Sequence, residues 1–154
     1  MEQSMRRIDR AISDEEAKEI LKKGEYGILS TVSRDGQPYG VPLNYSHVGN
    51  IIYFHSALEG HKVDNIREND NVSFCIVGEA EILPDKFSTK YKSVIVFGRM
   101  SEVTGDEKKQ GLLELLKKYS PAFIKEGLQL IETAGGRTRV YKLLIQSTTG
   151  KSRR

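Results

Sequence analysis

Ile51-Ile52-Tyr53-Phe54-His55-Ser56-Ala57-Leu58-Glu59-Gly60-His61-Lys62 changes character halfway along. Ile51 to Phe54 is a short run of β-branched and aromatic residues, which predicts a strand. Ser56 is followed three residues later by Glu59, the form of a capping box, and Val63 and Ile66 continue an apolar face. A helix is therefore expected to open at Ser56. Where a strand end runs into a helix start, free backbone N–H groups gather. Here a hydroxyl, two imidazoles and the Lys62 ammonium gather with them. Such a set suits a bound anion, above all a phosphate. The same residues also describe an ordinary capped helix with a solvated lysine.

Upstream, Ser13-Asp14-Glu15-Glu16 is a second capping box. It opens a helix with Ala17, Ile20 and Leu21 on its apolar face and Gly24 at its end. Residues 1–12 are polar and charged and read as a loose N-terminal segment. Residues 26–33 read as a strand, Asp35-Gly36 as a hairpin turn and residues 37–45 as the returning strand. Pro38 and Pro42 lack a ladder donor, so that strand needs an edge, a bulge or a ligand beside it. Val48-Gly49-Asn50 then turns the chain into the quoted stretch.

Downstream, residues 68–71 form a polar turn, residues 72–77 a strand and residues 78–90 an irregular loop. Residues 93–103 alternate as a strand does, and Gly98 within them marks a bulge or a close approach. Thr104-Gly105-Asp106 opens a helix carrying Leu112, Leu113, Leu115, Leu116 and Tyr119. Ser120-Pro121 opens another, with Phe123, Leu128 and Ile131 expected on its inner face. Ala134-Gly135-Gly136 is a break, residues 137–147 are the last strand, and Lys151-Ser152-Arg153-Arg154 reads as a solvated basic tail. The tally is about six strands and four helices in one domain, residues 1–154. Tight turns between the strands point to an α+β arrangement: an antiparallel sheet or small filled barrel with peripheral helices. A filled barrel leaves its ligand outside, at a surface or subunit interface.

Composition narrows the function. Of the 154 residues 38% are hydrophobic and 29% charged, which suits a soluble globular protein. The net charge of +3 is small and scattered, so no nucleic-acid partner is expected. No apolar run approaches the ~18 residues of a membrane span, and no signal peptide is recognisable. Cys75 is the one cysteine and lies in an apolar run; it reads as a buried, inert thiol in a reducing cytoplasm. There is no Gly-x-Gly-x-x-Gly, no phosphate-binding loop of the Walker type and no Gly-x-Ser-x-Gly. His47, His55 and His61 lack zinc-site spacing, and no metal is assigned; His47 and His55 are placed as cross-strand neighbours.

Two motifs together resemble the pyridoxamine 5′-phosphate oxidase-like flavoproteins. They are Asp35-Gly36-Gln37-Pro38-Tyr39-Gly40-Val41-Pro42-Leu43-Asn44-Tyr45 and Ile52 to Lys62. Within that family the 5-nitroimidazole reductase (Nim-type) branch is the most similar. Ser93-Val94-Ile95-Val96-Phe97-Gly98-Arg99 and Thr149-Gly150-Lys151 also look like that branch.

The resemblance implies a split β-barrel, a homodimer, and FMN in each interface cleft. It would lay Val41, Pro42, Leu43 and Asn44 beside the flavin ring, with His55 and Ser56 at the end of the neighbouring strand. His61 and Lys62 would hold the FMN phosphate, and the partner subunit's Ser93 would complete the site; Thr31 and Lys151 are secondary candidates. The implied activity is an FMN-dependent oxidoreductase. NADH or NADPH would reduce the flavin, a small acceptor such as a nitroaromatic would reoxidise it, and His55 would be the catalytic side chain. Other functions on this barrel are flavin storage, haem binding and deazaflavin-dependent reduction. The resemblance stops short of vitamin B6 oxidation: Arg137-Thr138-Arg139 is followed by Val140 where that chemistry uses an Arg-x-His signature, and the chain has no tryptophan.

Overall fold

The computed structural model describes residues 3–154. In chain order it contains α1 (Asp14–Lys23), β1 (Gly27–Val32), β2 (Pro38–Leu43), β3 (Ser46–Val48), β4 (Ile51–Ala57) and α2 (His61–Glu68). These are followed by β5 (Asn71–Leu83), β6 (Ser88–Val103), α3 (Gly105–Tyr119), α4 (Ile124–Ala134) and β7 (Thr138–Arg153). The strands make one antiparallel sheet in the order β2-β1-β5-β6-β7-β4-β3. This is the α+β split barrel with peripheral helices that the sequence predicts, with seven strands rather than six. The extra strand, β3, is too short to show a period of its own.

Local chemistry explains most elements. Ser13 Oγ accepts the Glu16 N–H at 3.2 Å, and the Gly24 N–H closes α1 on the Ile20 carbonyl at 3.0 Å. Ala17, Ile20 and Leu21 are the buried face, as their spacing requires. β2 is an edge strand, which is where Pro38 and Pro42 can forgo a ladder bond. Gly98 sits at a register shift against β7, where an added Cβ would stand 2.2 Å from the Leu144 carbonyl oxygen.

The interior is filled. Leu29, Phe54, Phe74, Ile76, Val94 and Val96 are buried, and the Phe74 ring meets both Phe54 and Tyr45 edge-on at 4.9 Å. The Tyr45 hydroxyl donates to the Leu21 carbonyl and so ties α1 to the barrel. α2, which follows β4 in the chain, packs against the far end of the sheet order. Its His61 ring stacks on Tyr39 of β2 at 4.0 Å, and Asn65 Nδ2 donates to Thr31 Oγ1 of β1 at 3.0 Å.

Several expectations are corrected. Ser56 is not a helix cap: β4 pairs with β7 as far as Ala57, and α2 starts at His61. Residues 78–90 are not a loop. They are the ends of β5 and β6, a hairpin arm in which Glu79 faces Lys92 and Glu81 faces Lys90. The β5–β6 ladder holds this largely exposed arm, and so it carries no apolar alternation. The basic tail is the end of β7, paired to β6 through Arg153, with Arg154 bound to Glu16 at 2.7 Å. His47 faces Ile52, so it is not the cross-strand neighbour of His55. Phe123 and Leu128 are exposed rather than on an inner face; the buried residue of α4 is Gly127, packed against Leu116.

Candidate functional site

The start of α2 is built to present backbone amides. Its N-cap is Gly60 at φ +152°, a conformation that glycine alone adopts comfortably. No side chain caps the helix, and the first intrahelical donor is the Asp64 N–H, 3.1 Å from the Gly60 carbonyl. The N–H groups of the first turn therefore have no acceptor within the helix. Val63 and Asn65 are buried and anchor this turn. The preceding turn is held by Arg139, whose Nε donates to the Leu58 carbonyl at 2.7 Å while its Nη1 contacts both Glu102 carboxylate oxygens at 3.0 Å. Lys62 is partly exposed and forms no ion pair among the described residues.

β4 divides its residues between two faces. Ile52 and Phe54 enter the main core, and Ser56 follows that parity: it is buried, with its hydroxyl donating to the Ala57 carbonyl at 2.9 Å. Tyr53 points to the other side, into a second apolar cluster with Val103, Val140 and Leu112. His55 shares that face. Enough protein surrounds its ring that burial, seconded by the nearby Lys62 charge, lowers its pKa. The imidazole is thus neutral at pH 7 and close enough to Lys62 to feel it.

His55 opens onto a cleft of about 360 Å³ between the sheet and the helices α3 and α4. Leu112, Leu115, Leu116, Leu130 and Ile131 form its walls. Asn44, His55, Tyr119, Ser120 and Thr138 supply its polar groups. Asn44 Nδ2 donates to the Glu25 carbonyl at 3.0 Å. The Tyr119 hydroxyl lies 2.6 Å from the Glu25 carbonyl and 3.0 Å from that of Tyr45, and accepts the Tyr45 N–H at 3.0 Å. That hydroxyl pins the end of α3 to the segment joining β2 and β3.

The predicted residues thus fall into groups. His55, His61 and Lys62 gather around the end of β4 and the start of α2, with Tyr39 stacked on His61. Asn44 joins His55 at the cleft. Val41 and Leu43 pack against the core, and Pro42 is exposed on the opposite side of β2. Thr31 is buried against Asn65. Ser93 stands elsewhere, opposite Lys151 of β7. His55 is level with Val140 and hence with Val103 of β6, ten residues from Ser93, or about 30 Å along the strand. Sequence reading missed Tyr39, Tyr119 and Arg139 as parts of this site. Arg139 gave one signal, a cation in a short basic cluster; the tyrosines looked like ordinary apolar-face residues. Among the described residues, no group of three or more His, Cys, Asp or Glu side chains could hold a metal ion. Among them, too, no helix is long and apolar enough to cross a membrane.

A family model described as pyridoxamine 5′-phosphate oxidase matches residues 13–152, and the chain belongs to that family. A relative in Rhizobium meliloti, itself an uncharacterised protein, is 38% identical over 94 residues. That match covers 61% of this chain and 57% of the relative's length. Among solved structures, a candidate 5-nitroimidazole antibiotic resistance protein from Bacteroides thetaiotaomicron is similar in fold. It is 20% identical with a TM-score of 0.73, and the match covers 92% of this chain and 85% of that one. An FAD and haem binding protein from Mycobacterium smegmatis is 19% identical with a TM-score of 0.75, covering 91% of this chain and 71% of that one. At these identities the two structures bear on the fold.

Proposed function

We propose that the protein is an FMN-dependent oxidoreductase. It takes electrons from NADH or NADPH and passes them to a small acceptor, a nitroaromatic being the model case. The observation that carries this reading is the start of α2, packed against Tyr39 of β2: among the described residues its first-turn amides are uncapped and Lys62 is unpaired. A phosphate ester fits there, because the amides supply directed donors and Lys62 a charge. His61, stacked on Tyr39, orders that first turn. Val41, Pro42 and Leu43 lie on the edge strand with Asn44 just past its end, and Ser56 steadies the end of β4. A bound flavin supplies the two-electron chemistry; the chain binds and orients it, and excludes water with the apolar cleft wall. His55, neutral at pH 7, holds a proton or a hydrogen bond toward the acceptor.

The active form is proposed to be a homodimer in the cytoplasm. In support, Ile28, Cys75 and Ile95 line up in register across β1, β5 and β6 on the face away from the core, and Ile28 and Ile95 are each 38% exposed. Ser93 lies on the same face of β6 as Ile95. The distance along β6 bars Ser93 from its own chain's site, so the partner subunit's Ser93 would serve it.

The test is to purify the protein without added cofactor, record its visible spectrum and titrate FMN. Lys62→Ala should weaken FMN binding by about 1–3 kcal/mol, roughly five- to 150-fold. It should also raise the His55 pKa, followed by NMR, because a repelling charge is gone. Unchanged FMN affinity in that variant would remove the phosphate role. A Soret band in place of flavin bands would move the reading to haem.

A further inference from the structure

The cleft beside His55 has a chemistry of its own. Its walls are leucine and isoleucine side chains from α3 and α4, and no lysine, arginine, aspartate or glutamate lines it. Lys62, whose charge His55 feels, is not among the lining residues. Two of the polar groups are already engaged: the Asn44 amide with the Glu25 carbonyl, and the Tyr119 hydroxyl with the Glu25 and Tyr45 backbone. The His55 ring forms no hydrogen bond among the described residues, so its hydrogen-bonding capacity is free for a ligand. A volume of about 360 Å³ suits a small ring compound; it is at the lower end of the range for ligand pockets.

We infer that this cleft is the acceptor pocket, and that it selects uncharged, largely apolar ring compounds carrying one hydrogen-bonding group, which meets His55. The inference rests on the oxidoreductase reading and adds the substrate class to it. Anionic compounds are rejected because a carboxylate or phosphate buried among leucines finds no cation. Pyridoxamine phosphate falls in the rejected class, which agrees with the missing Arg-x-His signature. So does a haem seated in this cleft, since its propionates would meet no lysine or arginine.

A matched pair of probes tests this. 4-Nitrotoluene and 4-nitrobenzoate differ only by a methyl in place of a carboxylate. Calorimetric titration of the protein as purified should show 4-nitrotoluene binding roughly tenfold or more tightly than 4-nitrobenzoate. Ala134→Phe, which fills the cleft from the end of α4, should abolish 4-nitrotoluene binding and leave FMN affinity and Tm unchanged. Leu130→Lys, at a position 64% exposed and so tolerant of charge, should improve 4-nitrobenzoate binding several-fold. Equal or tighter binding of 4-nitrobenzoate to the wild type overturns the proposal. So does parallel loss of FMN in Ala134→Phe, which would make the cleft the seat of the flavin ring. Should the wild type take up no FMN, the oxidoreductase reading fails, while the probe pair still decides the selectivity of the cleft.

Discussion

Lys118 is the residue most at odds with its surroundings. Its Nζ is buried without a hydrogen-bond partner among the described residues and lies 3.6 Å from the centroid of the Tyr45 ring. Burial lowers its pKa from 10.5 to about 8, so the folded chain releases this proton before the unfolded chain does. Between about pH 8 and 10.5 the unfolded state therefore holds more protons, and stability rises with pH across that window. Below pH 8 the cost of burying the charge is fully present. The attraction to the Tyr45 ring offsets part of it. Lys118→Met should erase the rise of Tm between pH 8 and 10. At pH 7 it should be as stable as wild type or more stable by about 1–2 kcal/mol, because the lost ring contact offsets only part of the relief of the buried charge. A thermal scan at several pH values checks both. None of this is legible locally: Lys117-Lys118 looks like a pair of solvated cations at a helix end, and only the packing of α3 over Tyr45 separates them.

At the scale of elements, close backbone approaches decide what is tolerated. β6 passes β7 at Gly98 with the Leu144 carbonyl where a side chain would begin. Gly98→Ala should destabilise by about 2–3 kcal/mol, seen as a drop of roughly 5–10 °C in Tm. A Tm within a degree of wild type would show that the bulge can absorb the methyl. This position was readable in advance, since a glycine inside an alternating strand has few other uses. The start of α2 was not. Ser56 and Glu59 carry the capping-box spacing, yet seven register pairs hold β4 to β7 through Ala57, and that ladder outweighs a local cap. The helix then begins on a glycine with no cap. Among the described residues the shift leaves the first-turn amides and Lys62 without a partner, which is the feature the proposed anion site rests on.

At the scale of the molecule, the sheet leaves an apolar row on its outer face. The Ile28–Cys75–Ile95 row crosses three strands in register, and Cys75 within it is half-buried, with its thiol pKa raised by burial. A second copy covering this row would account for its isoleucines. Ile95→Glu should convert the proposed dimer to a monomer, measured by light scattering on a sizing column, and should leave the fold intact because the position is outward-facing. Loss of FMN binding in the same variant would support a site that needs the partner subunit's Ser93. An unchanged dimer mass would place the interface elsewhere.

What the sequence determined by itself is what depends on neighbours along the chain. The α1 cap at Ser13, the β1–β2 hairpin at Asp35-Gly36, the edge placement of Pro38 and Pro42, and the alternation of β6 follow from propensity, turn chemistry and period. What only the tertiary structure decided depends on groups far apart in sequence. Tyr39 meets His61, Tyr119 joins Glu25 to Tyr45, and the leucines of α3 and α4 enclose a cleft beside His55. Those contacts exist because the sheet curls to bring α2 against β1 and β2, and α3 against β3, β4 and β7. Sheet curl is set by summed twist and core packing, which no local window of residues encodes.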